Sequence, residues 1–385
     1  MSYKVCYVTT IAGSIRNFIL DSALYNIEHA DWDVTFVCDY DEEFKCELSP
    51  NIHYNPISIH RGYDLTDINA IFKLKKLFKK EKFDLIEFAT TKAAFYASIA
   101  AKQAHIPIRL YGQWGISYTT YTGLKGIVVK TIEKIISSNA THVYGVCNEN
   151  LERAISDRLY DHKKGFVVGY GSSLGVDLNR FDISMKQQWR KEIRKKYGIS
   201  DSTFVFGYVG MLRKEKGLEE LFAASKGIFK KYGNAVCFIV GDTRVVEGIA
   251  PEIYKWAQNT EKIVFTGFTN EVQKYFAAMD CFVFPSYHEG FGNVTIEAEA
   301  MGVPVIATDI PGTREAMLKD KTGVTVPVKD SMALEKAIEK LMQNPELLQS
   351  YGKCSREYVS EYFDKEKLCQ WIFENRMSLL KKENL

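Results

Sequence analysis

Apolar positions fall in short runs, separated by stretches in which apolar residues recur at helical spacing. The runs at 4–9, 33–38, 84–88, 108–111, 142–146 and 165–168 predict strands, because short apolar runs rich in β-branched and aromatic residues suit buried strands. Between them, 71–80 and 98–103 carry amphipathic helical patterns. Strand alternating with helix predicts a parallel sheet covered by helices on both faces. The alternation then restarts. Strands are expected at 204–209, 236–240, 262–266, 281–284 and 304–307, with helices at 217–231, 272–278, 295–301 and 332–343. Turn-forming residues over 171–182 interrupt the pattern as a linker does, and the charged stretch 185–197 predicts a helix entering the second unit. The reading is α/β: two Rossmann-like, doubly wound parallel-sheet domains at 1–176 and 177–362. A C-terminal helix, 363–385, is expected to pack back toward the N-terminal domain. Ligands of open parallel sheets bind at the carboxyl ends of the strands, so the active site is expected in a central cleft that the two domains face.

Composition narrows the class. A chain of 385 residues is long enough for two cores. Its formal net charge of +2 offers no basic excess for nucleic acid. The eight cysteines are scattered, with no Cys-x-x-Cys pair, as expected of reduced thiols in a cytoplasmic protein. The apolar run at 4–9 is too short and too polar for a signal peptide. No stretch approaches the roughly 20 apolar residues of a membrane helix, so any membrane association is expected to be peripheral, on the inner face.

The richest chemistry lies in 281–304. A buried run ends at Phe284, a turn containing Gly290 and Gly292 follows, and a helical pattern begins near Asn293 and stops at Gly302 before Pro304. The main-chain N–H groups of Gly290, Phe291, Gly292 and Asn293 would form a helix entrance suited to a diphosphate. Glu289 precedes this entrance and Glu297 follows it; fully helical, their separation would be about 12 Å. Carboxylates flanking an anion nest can accept hydroxyls of a sugar on one side and of a ribose on the other. A nucleotide sugar has that shape. Upstream, 207–217 follows a strand and opens a helix without the Gly-Lys-Ser/Thr ending of a P-loop. Its cations Arg213 and Lys216 suit neutralisation of a departing diphosphate.

The Glu-x7-Glu spacing within Pro-Ser-x-x-Glu-Gly-Phe-Gly, followed by Glu-Ala-x-Ala-x-Gly-x-Pro-Val, resembles retaining glycosyltransferase family 4. The segment Ile310-Pro-Gly-Thr-Arg-Glu315 is similar to the one that follows the next strand in that family. The resemblance implies a GT-B fold and retaining transfer of a sugar from a nucleotide sugar, expectedly a UDP-sugar, with no metal or other cofactor. It points toward bacterial capsular, exopolysaccharide or O-antigen enzymes, whose acceptor is a glycan or a lipid-diphosphate-linked glycan. It puts Glu289 at the donor sugar, Glu297 at the ribose and Lys216 at the family's lysine. Met211 takes the family's arginine position, with Arg213 two residues on. Gly13 matches a glycine turn near the diphosphate, and Thr266 to Phe268 a segment beside the nucleobase. His288 is a further donor contact.

On the acceptor side, Trp114 stands where the family often has a histidine. Tryptophan cannot accept a proton, so Gln113 and Trp114 are expected to touch substrate instead. Lys92 resembles a lysine of polysaccharide-assembly enzymes and would face an acceptor phosphate. In 71–80, Ile71, Leu74 and Phe78 share one helical face among lysines, a pattern that fits either the core or an anionic membrane surface. Two rival functions share the donor glutamates: a nucleotide-sugar epimerase or hydrolase, and a non-catalytic nucleotide-sugar-binding subunit. A dehydrogenase is disfavoured because Gly-x-Gly-x-x-Gly is missing after the first strand.

Overall fold

A computed structural model of the chain describes residues 2–59 and 67–383. It divides into two compact units. One runs to Leu174 and takes in the chain again from Glu366; the other is Gly175–Lys365.

Among its described residues the first unit holds seven parallel strands: β1 (Lys4–Val8), β2 (Asp33–Val37), β3 (Ile52–Tyr54), β4 (Leu85–Ala89), β5 (Ile108–Gln113), β6 (His142–Gly145) and β7 (Gly165–Val167). Their order is β3-β2-β1-β4-β5-β6-β7. The three-residue edge strand β3 was not expected, since so short a run carries no periodicity of its own. Alternation along β1 builds both cores. Cys6 and Val8 join Leu74, Phe78 and Phe88 on one face; Val5 and Tyr7 join Ile15, Phe36 and Phe44 on the other. The second face also receives Leu379 and Leu380 from the C-terminal helix Lys365–Glu383. That helix is tied down by a buried ion pair, Arg376 to Glu87 on β4 at 3.0 Å, with both side chains almost wholly enclosed. The guanidinium also lies over Tyr144, 4.5 Å from the ring centre. The apolar face Ile71, Leu74 and Phe78 is turned into the core, as the core reading of 71–80 expects.

The second unit holds β8 (Phe204–Val209), β9 (Leu212–Arg213), β10 (Ala235–Val240), β11 (Val246–Glu247), β12 (Ile263–Gly267), β13 (Cys281–Phe284), β14 (Val305–Thr308) and β15 (Gly323–Val326). Six of them form a parallel sheet, β12-β10-β8-β13-β14-β15, and β9 pairs with β11 beside it. The strands β9, β11 and β15 were missed. Two are only a pair of residues long, and β15 opens on a glycine after a polar run. Chain order runs outward from β8 to β10 and β12, then returns to β13 on the other side of β8. The neighbours β8 and β13 are therefore the topological switch point, where connections leave in opposite directions and open a crevice at the strand ends.

Candidate functional site

The loops leaving β8 and β13 carry the residues singled out at 213–216 and 288–293. They are stapled together by the main chain. Glu215 O accepts from the Tyr287 N–H at 2.8 Å, and the Ser286 hydroxyl donates to Glu215 O and His288 O. Gly217 makes the close approach possible. It has φ of +72°, and a Cβ there would lie 2.0 Å from Pro285 O. Only a glycine satisfies both demands. At the end of this staple the Lys216 ammonium donates to Glu289 Oε1 at 2.6 Å, and both side chains are mostly buried, 18% and 14% exposed. Residues 73 positions apart thus form one charged pair, with Phe284 beneath the ammonium. Arg213 does not join them. It pairs with Glu247, its neighbour across β9 and β11.

After Glu289 the chain stays irregular to Gly292, which adopts φ of +85° as the residue before the helix Asn293–Ala300. Only part of the span from Glu289 to Glu297 is therefore helical, and the 12 Å figure for a continuous helix does not apply. The Phe291 ring is buried against Phe363, leaving its main chain as the part that faces the entrance. Glu297 is half-buried on the first turns of the helix. Burial pushes its acid up to about 7, with Arg180 the opposing charge. His288 is exposed; partial desolvation, then the charge of Lys329, lowers its pKa. At the end of β12, the Thr266 hydroxyl turns back to main-chain oxygens of Ile239 and Gly267, while Phe268 stands 67% exposed at the same edge of the sheet.

In the first unit the switch point lies between β1 and β4. Gly13 is not in a free turn but inside the first turn of the helix Ala12–Phe18, where an added Cβ would meet only Ile11 at 3.8 Å. Lys92 pairs with Asp67 at 2.7 Å, both nearly buried. Gln113 is buried too: its amide donates to Glu133 at 3.3 Å and accepts from the Tyr160 hydroxyl at 2.5 Å. Trp114 stacks on Phe18, with ring centres 4.6 Å apart.

Several residues around these sites were assigned no role from the sequence. Glu133 holds Tyr111 and Gln113 together and is pushed up to about 7 by burial. Its signal was present, since Val129, Glu133 and Ile136 share the buried stripe of one helix. Glu299, fully buried on the helix that bears Glu297, has its acid pushed well above the usual range by desolvation. Thr90, between β4 and its following helix, has φ of +62°, a strained value for a β-branched residue. Its hydroxyl bonds Thr10 across the switch point at 2.7 Å. Nothing local in the sequence marks it.

Comparison with known proteins matches both units. The Glycosyl transferases group 1 family model covers residues 190–358, and the Glycosyl transferase 4-like model covers residues 4–147. The capsular polysaccharide biosynthesis glycosyltransferase CapM of Staphylococcus aureus is 29% identical over 365 residues, 94% of each chain. The UDP-Gal:alpha-D-GlcNAc-diphosphoundecaprenol alpha-1,3-galactosyltransferase of Escherichia coli is 25% identical over 348 residues, 87% of each. Among solved structures, Anabaena HepE in complex with UDP and glucose superposes with a TM-score of 0.78 at 19% identity, over 98% of this chain and all of that one.

Proposed function

The chain is a glycosyltransferase of GT-B fold, and from that premise we propose that it transfers a sugar from a UDP-sugar, with retention, to a lipid-diphosphate-linked glycan in surface polysaccharide assembly. The pairing of Lys216 with Glu289 at the β8/β13 switch point carries this reading. In the proposed complex the diphosphate seats at the 290–293 entrance, where main-chain N–H groups and the helix dipole favour an anion. The Lys216 ammonium then turns from Glu289 to the leaving phosphate. Glu289 accepts hydroxyls of the transferred sugar and Glu297 those of the ribose. Phe268, exposed at the edge of the same sheet, offers an aromatic face to the base.

The bond from the anomeric carbon to the diphosphate oxygen breaks as the acceptor hydroxyl attacks from the same face. The acceptor's proton passes to the departing phosphate oxygen, so no side-chain base is required, in keeping with a stacked tryptophan at position 114. Fixed positive charge at the leaving group is the main source of rate in such a step. UDP in the HepE complexes and the lipid-linked acceptors in relatives' names support the choice of substrates.

Among the described residues no helix is long and apolar enough to cross a membrane. A lipid-linked acceptor nevertheless calls for a membrane-facing surface. The first unit exposes Leu124, Ile127 and Val128 on one face of the helix Gly123–Asn139, among its lysines. We assign the peripheral contact to this apolar, basic face. Vesicles containing phosphatidylglycerol should float the protein, and Leu124→Glu with Ile127→Glu should abolish flotation; equal binding to purely zwitterionic vesicles would refute the assignment.

The donor reading is tested by a thermal-shift panel of nucleotides and nucleotide sugars, since a ligand bound only by the native state raises its stability. UDP and UDP-sugars should shift the transition. Glu289→Gln should still bind UDP yet lose transfer to a synthetic prenyl-diphosphate N-acetylglucosamine, with the wild-type product carrying the donor's anomeric configuration by NMR. No shift with any nucleotide, or donor consumed at one rate with and without acceptor, would overturn the proposal.

A further inference from the structure

The second unit has a cavity of about 660 Å³ away from the donor residues. Asp280 and Pro304 in its wall precede β13 and β14, so it opens at the amino ends of the strands. The donor residues lie at the carboxyl ends. The cavity also reaches the far end of the Asn293–Ala300 helix, through Gly302.

Its charged lining is unbalanced. Lys186, Arg190, Lys353 and Arg356 face it, against Asp280 and Glu357. Asp280 is already shared: it accepts from Arg190 at 2.7 Å and from the enclosed Arg194 at 2.8 Å. Lys186 and Arg356 meet main-chain oxygens, Gly302 O and Ala300 O, each at 2.8 Å. These neutral carbonyls end the helix and attract cations through its dipole. They do not neutralise them. Asp182 lies near Arg356 as its strongest acidic neighbour, and Lys353 and Glu357 form a loose, exposed pair at 3.9 Å. Burial pushes Lys186 down to about 8, with Arg190 adding to the effect and Asp280 opposing it.

The rest of the wall suits a sugar-sized body. Met279, Pro304 and Leu348 give apolar surface, and the amides of Gln187 and Gln349 give hydrogen-bonding groups. We propose that this cavity is a second ligand site, specific for a small phosphorylated sugar. The phosphate lies among Lys186, Arg190, Lys353 and Arg356, and the sugar lies along the apolar wall. Its cationic groups hold the C-terminal end of the helix that carries Glu297 mid-way and opens at the 290–293 entrance, so occupancy and donor binding share one rigid element.

The test is calorimetric titration of the full chain with inorganic phosphate and with glucose 1-phosphate. Both should bind saturably, the sugar phosphate more tightly. Lys353→Glu and Lys186→Met should each weaken binding about tenfold or more, while Lys216→Met at the donor site should leave it unchanged. Lys353 is exposed, so its reversal leaves the fold intact and keeps the test valid if Lys186→Met folds poorly. Absence of saturable binding refutes the proposal. So does binding that Lys216→Met removes and Lys353→Glu spares, which puts the anion in the donor site; equal affinity for phosphate and glucose 1-phosphate refutes the sugar-specific part.

Discussion

Replacing Gly217 by alanine tests whether the staple between the β8 and β13 loops sets the geometry of the Lys216–Glu289 pair. The new Cβ would lie 2.0 Å from Pro285 O and 2.7 Å from its carbonyl carbon. Restoring even a 3.0 Å contact requires the two main chains to part by about 1 Å, the difference between 3.0 and 2.0. Both are backbone, so no rotamer change relieves the clash. The φ of +72° adds about 1–2 kcal/mol for a residue with a Cβ, and overpacking adds about 1–3 kcal/mol. A stability loss of about 2–5 kcal/mol follows. The same displacement stretches the Glu215–Tyr287 hydrogen bond of 2.8 Å and the Lys216–Glu289 pair of 2.6 Å. A shift of about 1 Å in a catalytic group costs on the order of 100-fold in rate. Denaturant unfolding and initial rates of nucleotide release should show both losses together. The control is Gly233→Ala, where nothing lies within 4 Å of the added carbon; it should change stability by less than about 0.5 kcal/mol. If Gly217→Ala keeps full stability and turnover within about threefold of the parent, well short of the loss a displaced group causes, the staple does not set the pair.

Three further outcomes follow from buried charge. Because the Glu297 acid titrates at about 7 and only the carboxylate accepts ribose hydroxyls strongly, UDP affinity should rise from pH 6 to pH 8; calorimetry on Glu297→Gln should find a flat profile, and a flat wild-type profile would contradict the ribose role. Arg376→Met strands the buried Glu87 and should cost about 3–5 kcal/mol, whereas the double variant Glu87→Leu/Arg376→Met should recover most of it; no recovery on denaturation would show that the arginine acts by packing over Tyr144 instead. Glu133 keeps its proton to about 7 in the folded chain against 4.5 for the ordinary side chain. The folded state then binds more protons than the unfolded, so stability falls as pH rises from about 4.5 to 7, by about 1.4 kcal/mol per unit of separation. Glu133→Gln should flatten that part of the melting profile, and a variant with the wild-type slope would refute it.

Much of this protein is written locally. Strand and helix periods repeat within a few residues, so both sheets and the breaks between their elements could be read before any coordinates. The strands that escaped, β3, β9, β11 and β15, are too short or too plain to show a period. The glycine turn between Glu289 and Glu297 was equally legible, because turn chemistry depends on residues in sequence. Tertiary structure decided what these groups touch. Lys216 reaches Glu289 because β8 and β13 are neighbours; Arg213, three residues earlier, is drawn to Glu247 by a strand pairing that no local pattern announced. Lys92 and Gln113 suited an acceptor by residue type, yet they meet Asp67 and Glu133, partners brought near by helices packed on the sheet. Polarity and period are properties of a segment and survive in the one-dimensional chain. Ion pairing, burial and the pKa shifts they cause depend on distances of a few ångströms between segments, and only the folded arrangement sets those.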